Sequence, residues 1–395
     1  MNFDILKNCL DNFVSQGYAP GNSVLVYLNG ELVFDYACGY SDVKNKIQMT
    51  GSEHVFLYSC SKITTVTAAL QLLEQGKFLL SDPLSNYIPE YKNMYVKDAD
   101  GNLNPAKKPI TIKNLFNMTA GFSYDTNVAS IKKAIELTNG KRDTATVIKT
   151  YAQEPLLFEP SERFNYSMCH DVLAYLVEVI SGKKFSQYVK ENIFDPLGMK
   201  NCVYHLTDDI KKLMAPQYWF VSDGREDVDD IVRAQSVCDS KNGKFADKGL
   251  INNLIFGEEY DSGGAGIIAS PREYIKLLAA LSNFGTGLNG ERILSPYTVE
   301  LMRTNSLDEN QLSSYHKDWS YLKGYGYGLG VRTVMDRANA GAIANYGEFG
   351  WGGAAGSSIH IDPELGLAVL YTKHTLCPRE GYYMPRLRNC IYASL

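Results

Sequence analysis

The chain has few cysteines for its length, eight in 395 residues, and none of them forms a Cys-x-x-Cys pair. That spacing excludes a disulfide scaffold and offers no zinc-type ligand cluster. The six histidines include no His-Glu-x-x-His, and no Gly-x-Ser-x-Gly elbow occurs, so the metalloprotease and α/β-hydrolase chemistries lose their signatures. No metal or organic cofactor is expected. No apolar run reaches roughly 18 residues, which excludes a spanning helix. Positive charge is not in excess: 39 Lys plus Arg against 44 Asp plus Glu leave a formal charge of -5. The basic stripe of a nucleic-acid binder is therefore absent. The first residues alternate apolar and polar groups at helical spacing and lack the basic start and continuous apolar core of a secretion signal, so a cytoplasmic protein is expected. There is no internal repeat, and the short acidic stretch Asp227 to Asp230 reads as a solvated loop.

What is present is an ordinary globular composition, 45% apolar and 21% charged, with 27 tyrosines against 3 tryptophans. At about 150 residues per domain the length allows two to three domains or one two-lobed fold. Two β-rich runs, Ser23 to Tyr27 and Glu31 to Ala37, flank Asn29-Gly30, a pair suited to the positive φ angles of a type I′ hairpin turn. Ser59 to Gln75 reads as a buried helix closed by Gly76. From Asp82 to about Asn310 the pattern is mostly helical. Its clearest helices are Asp171 to Ile180, stopped at Gly182, and Arg272 to Asn283, opened by Ser270-Pro271. Strand patterns return near Tyr325 to Val334, Gly356 to Ile361 and Leu367 to Tyr371, and a terminal helix is expected over Met384 to Tyr392. Strands at both ends with helices between them predict an α/β (α+β) fold: a lobe built from 1–84 and 322–395, a mainly helical lobe over 85–321, and a site at their seam.

Ser59-Cys60-Ser61-Lys62 is a Ser-x-x-Lys element. On a helix, i and i+3 share a face, so the Lys62 amine can reach the Ser59 hydroxyl. A serine at a helix start also lies beside unpaired N–H groups and the positive end of the dipole, which favour a developing oxyanion. Lys62 must have its pKa lowered by burial to act as a base. The tetrapeptide alone discriminates little, since six Ser-x-x-Lys strings occur; Ser59/Lys62 is the one that opens a long apolar helix. Cys60 points about 100° away around the helix and is assigned to packing, and His170 is expected to be structural.

Tyr58 to Thr65, followed by Leu70 to Lys77 and Asp82-Pro83-Leu84, resembles the serine β-lactamase and penicillin-binding-protein superfamily, and within it the class C β-lactamase-related branch with its family VIII carboxylesterases. The resemblance continues in order through Ile110 to Leu115, Thr119-Ala120-Gly121, Tyr166-Ser167-Met168, Phe194 to Met199, Ser262 to Gly266, Gly324 to Gly330 and Gly350 to Gly356. It covers nearly the whole chain and implies a β-lactamase/transpeptidase-like fold, an antiparallel sheet flanked by helices with an inserted helical lobe.

The resemblance also implies roles. Tyr166 stands at the tyrosine of a Tyr-x-Asn element whose asparagine is replaced by Met168, while strict Tyr-x-Asn strings at Tyr27 and Tyr91 lie elsewhere and read as coincidences. A thioether cannot donate a hydrogen bond and accepts one poorly, so Met168, read as substrate-facing, argues against recognition of a β-lactam side-chain amide. Lys-Thr-Gly is replaced by Trp351-Gly352-Gly353, which removes the cation that holds a substrate carboxylate and offers an apolar wall. By the same analogy the Ala354 and Ser59 N–H groups form the oxyanion hole. The expected activity is an acyl-enzyme serine hydrolase for small or short-chain carboxylic esters, with Ser59, Lys62 and Tyr166 catalytic. Alternatives are a β-lactamase, a D-amino-acid peptidase or an acyltransferase using the same acyl-serine, or a sensing module that acylates without turnover. The expected partner is a small ester or amide, with neither nucleic acid nor membrane involved.

Overall fold

The computed structural model describes residues 1–222, 243–376 and 379–395. The chain opens with helix α1 (Asp4–Ser15), then strands β1 (Gly21–Leu28) and β2 (Glu31–Asp42). Asn29 and Gly30 both take positive φ, 49° and 81°, as a type I′ turn requires. A short β3 (Ile47–Gln48) pairs with β2. A single 3-10 turn over Tyr58–Cys60 then leads into α2 (Ser61–Glu74). Its end is a Schellman closure: Gly76, at φ 67°, donates to Leu73 and Lys77 donates to Leu72.

Two further helices matter for the site. Helix α3 (Cys169–Ser181) stops at left-handed Gly182, and α4 (Pro271–Ser282) begins after Ser270, whose side chain makes no cap bond. The C-terminal part supplies β4 (Tyr325–Tyr327), β5 (Arg332–Val334), β6 (Phe349–Gly350), β7 (Ser358–Asp362), β8 (Leu367–Thr372) and helix α5 (Glu380–Ser394). The expected run from Tyr325 to Val334 is thus a pair of strands folded on each other.

These strands form one eight-stranded antiparallel sheet in the order β4-β5-β6-β7-β8-β1-β2-β3, so strands from both chain ends meet at the β8–β1 pair. Side-chain alternation divides its faces. Val24 and Val26 of β1 and Val369 of β8 pack with Leu6, Leu10, Leu387 and Ile391 of α1 and α5. Leu25 and Leu370 face the other way, into the main core shared with Ile63 of α2, Val172 of α3 and Leu278 of α4. A single core therefore runs from the sheet into the inserted helices.

The stretch expected to be mostly helical also carries strands. Tyr95–Lys97 pairs with Leu103–Pro105, and Tyr218–Ser222 pairs with Gly243–Asp247 and with Thr375–Leu376. The first two of these segments are too short for periodicity to separate from a loop. Asp227 to Asp230 lies outside the described residues. Among the described residues, no helix is long and apolar enough to cross a membrane.

Candidate active site

Ser59 sits in the turn that starts α2, and Tyr58 before it holds a left-handed φ of 46°. For a bulky residue that conformation is strained and persists only where the surroundings enforce it. Here the Tyr58 hydroxyl donates to Gln217 Oε1 at 2.7 Å. Ser59 keeps 9% of its surface exposed, whereas Lys62, one turn on, is fully buried. The lysines of the other five Ser-x-x-Lys strings, at 44, 133, 184, 317 and 323, are all exposed, so burial selects the pair that helix context had singled out.

Lys62 Nζ donates to Ser59 Oγ at 3.3 Å and to the Gly264 carbonyl at 2.8 Å. It lies 4.7 Å above the Tyr166 ring and 5.5 Å from that of Tyr124. Burial lowers its pKa to about 8, against a smaller opposing pull from the Asp171 carboxylate. At neutral pH the amine form is then accessible, as a base requires. The Tyr166 phenol is raised above its ordinary value by burial, while the neighbouring Ser59 hydroxyl and a bond from Trp351 favour the phenolate. Trp351 Nε1 donates to Tyr166 Oη at 3.1 Å, and the two rings stack at 5.6 Å.

Asp171 underlies this arrangement from the first turn of α3. Its Oδ1 accepts from Tyr260 Oη at 2.9 Å and Ser262 Oγ at 2.8 Å, and its Oδ2 lies against the Gly264 α-carbon. A side chain at Gly264 would strike that oxygen and stand 3.3 Å from Lys62 Nζ. Glycine is needed there so that the backbone can reach the lysine. Gly263 to Ala265 form a turn, which aims the Gly264 carbonyl at Lys62.

Gly353 packs on the Leu57 carbonyl and Cys60 Sγ, bringing the Trp351 to Ala354 segment against the start of α2. Among the described residues, no backbone acceptor takes the Ser59 or Ala354 N–H, so both donors are available to an oxyanion. Cys60 is fully buried, consistent with packing, and His170 is buried with Nε2 against the Phe116 carbonyl.

The expectation for Met168 needs correction. It precedes α3 with its side chain turned into the main core and 1% of its surface exposed, so it offers nothing for a ligand to touch. Sequence reasoning also missed the Gly264 carbonyl, the clamp at Asp171, and Trp319, whose ring meets Tyr166 at 5.1 Å and Trp351 at 5.3 Å. Asp171 was within reach, five residues beyond Tyr166 at the start of an expected helix; nothing local marks Trp319.

A rival constellation exists inside the sheet. Ser358 Oγ is 3.1 Å from His360 Nε2, and His360 Nδ1 is 3.0 Å from Glu348 Oε1, in the order of a Ser-His-acid triad. All three are at most 1% exposed, and Arg332 holds Glu348 at 2.9 and 3.2 Å. No substrate reaches that serine; the cluster is a buried ion pair.

The helix-flanked antiparallel sheet is shared with solved structures of the serine β-lactamase and penicillin-binding-protein superfamily. The chain belongs to the Beta-lactamase family, whose model matches residues 6–390. It is 27% identical over 379 residues to Protein Rv1367c of Mycobacterium tuberculosis, covering 94% of this chain and 90% of that protein. It is 25% identical over 405 residues to Esterase EstB of Burkholderia gladioli, covering 98% and 94%. Among solved structures it is similar to EstCE1, a hydrolase with promiscuous acyltransferase activity, with a TM-score of 0.76 and 25% identity over 98% of this chain and 97% of that one.

Proposed function

We propose that the protein is a carboxylic ester hydrolase working through an acyl-Ser59 intermediate. Lys62 as amine, with Tyr166, takes the Ser59 proton as Oγ attacks the ester carbonyl, and the Ser59 and Ala354 N–H groups hold the oxyanion. The proton passes to the departing alcohol, and a water, deprotonated by the same pair, releases the acid. The observation that carries this reading is the fully buried Lys62, bonded to Ser59 Oγ and held near pKa 8 by desolvation. A buried lysine with a lowered pKa whose amine meets a serine hydroxyl fits a general base. The aromatic wall of Tyr166, Trp319 and Trp351 and the absence of a cation at position 351 favour an uncharged acyl group over a carboxylate-bearing lactam. Likeness to EstB and EstCE1 supports ester chemistry.

The test compares p-nitrophenyl butyrate with nitrocefin, using the wild type and Ser59→Ala, together with intact mass after mixing. Steady ester turnover lost in Ser59→Ala is expected. Nitrocefin turned over faster than the ester would make the protein a lactamase; a burst of one acyl group per chain with no turnover would make it a sensor.

A further inference from the structure

Helices α1 and α5 pack together over one face of β1 and β8, where Leu6 and Leu10 share a core with Leu387 and Ile391. The Asn2 N–H donates to the Ser394 carbonyl at 2.9 Å, which joins the start of one helix to the end of the other. A cleft of about 420 Å³ opens between the two helices. Cys9 of α1 and Cys390 of α5 line it, together with Asn8, Asn12, Tyr382 and Arg386. Both thiols are half-buried, so each keeps surface that a small reagent in the cleft can reach. No spacing rule marks this pair, because the fold alone brings residues 9 and 390 together.

The two sulfurs share a hydrogen bond. Cys9 donates it, which lowers the Cys390 thiol to about 7 and raises that of Cys9. The charge of Arg386, one turn before Cys390, is felt at Cys9 and favours a thiolate within the pair. The thiolate is the reactive form of cysteine, so Cys390 is the nucleophile and Cys9 its protonated neighbour. The remaining described cysteines lack this arrangement. Cys60, Cys169 and Cys202 are buried and held protonated by desolvation. Cys38 donates to Asn22 Oδ1 at 3.5 Å, and burial beside Asp11 pushes it up to about 12.

We propose that Cys9 and Cys390 form a redox-modification site for hydroperoxides, whose oxidised form is a reversible disulfide between α1 and α5. The Cys390 thiolate attacks the terminal oxygen of the hydroperoxide; an S–O bond forms as the O–O bond breaks, and the departing alkoxide takes a proton from water. Cys9 then attacks the sulfur of this sulfenic acid. The S–S bond forms as the S–O bond breaks, and the hydroxyl leaves as water with the Cys9 proton. Two electrons have passed from the two sulfurs to the peroxide oxygens. A small dithiol reverses the bond by exchange and is itself oxidised. The disulfide closes the chain from residue 9 to residue 390 into a ring, which restricts the unfolded state. The pair lies on the sheet face opposite α2, and the inference does not rest on the ester-hydrolase reading.

The experiment treats the reduced full chain with a small excess of hydrogen peroxide. Intact mass should fall by about 2 Da, the two thiol hydrogens, and digestion should yield the Cys9 and Cys390 peptides joined until dithiothreitol separates them. The oxidised protein should melt about 5 °C above the reduced one, because the ring takes in nearly the whole chain. In Cys9→Ser the sulfenic acid on Cys390 has no partner and dimedone traps it, whereas Cys390→Ser should give about tenfold less adduct. Oxygen added to Cys390 of the wild type with no cross-link overturns the proposal. So does a disulfide from either residue to another cysteine, Cys238 and Cys377 included. Mapping on the wild type needs no variant and decides the matter alone. Labelling of Cys390→Ser equal to that of Cys9→Ser overturns the assignment of Cys390 as nucleophile.

Discussion

Replacing Asp171 by Asn should move the working pH of the enzyme without changing the shape of the site. Asp171 Oδ2 and Lys62 Nζ approach the same empty Cβ position of Gly264, to 2.4 and 3.3 Å, and make no ion pair, which puts the two charges ~5 Å apart. At an effective dielectric near 20, unit charges at that spacing interact by about 3 kcal/mol, and relaxation reduces this to a change of about one to two pH units. The direction follows from the charge. The carboxylate favours the ammonium form of Lys62, so its loss lowers the pKa of Lys62 from about 8. Activity requires the amine, so kcat/KM rises as pH climbs through that pKa, and in Asp171→Asn the acid limb should lie about one to two units lower. At pH 7 roughly a tenth of wild-type Lys62 is in the amine form and about half to nine-tenths in the variant, although a weaker base lowers the plateau. The other ionisable groups facing Lys62 are Cys60, Cys169, Tyr124, Tyr166 and His170; none is a carboxylate, so none can mask the change. The assay is kcat/KM for p-nitrophenyl butyrate between pH 5.5 and 9.5, each profile scaled to its own plateau. An acid limb that stays in place while thermal stability falls would refute the reasoning, since Asp171 would then be a neutral structural group. Persistent turnover in Lys62→Ala would instead show that the limb never belonged to the lysine.

Lys62→Met should abolish turnover and raise the melting temperature at pH 7. A lysine whose pKa falls from 10.5 to about 8 on folding destabilises the native state by about 3 kcal/mol below pH 8, and that penalty fades between pH 8 and 10.5. The stabilisation should therefore shrink as the melting curve is repeated toward pH 10; an equal gain at both pH values would count against a charged cause. Arg332→Met should lower stability by about 3 to 5 kcal/mol, because it strands the buried Glu348 carboxylate, now held down to about 2. Denaturant unfolding checks it, and the loss should be smaller at pH 5, where Glu348 or His360 can take up a proton.

The sequence made the outline of the fold legible wherever a local rule applied. Asn29-Gly30 can form the turn it forms because both residues tolerate positive φ, and Gly76 and Gly182 end their helices for the same reason. Runs rich in apolar and β-branched residues located β1, β7 and β8, whose residues are largely buried. What could not be read was set by contacts between distant segments. Tyr218–Ser222 is a strand because Gly243–Asp247 and Thr375–Leu376 lie beside it, and Gly264 is a glycine because α2 and α3 leave no room between Lys62 and Asp171. Met168 was misplaced for a related reason. A motif fixes a position along the chain, while the direction of the side chain is fixed by the start of the helix that follows it.

Two buried charge clusters in this molecule follow opposite logic, and the contrast is the best argument for where the chemistry lies. Arg332 and Glu348 satisfy each other with two hydrogen bonds, reinforced by His360, so each charge is stabilised by its partner and neither can change protonation at neutral pH. Lys62 is buried just as deeply, yet its bonds go to a hydroxyl and a carbonyl, and the acid that could pair with it is held off by the Gly264 backbone. Moving Asp171 into contact would stabilise the fold and lock the lysine as an ammonium. The intervening peptide keeps the carboxylate near enough to steady Lys62 and too far to capture its proton. A cluster built only for stability has no use for that separation, whereas a base that must take a proton from Ser59 and give it back depends on it.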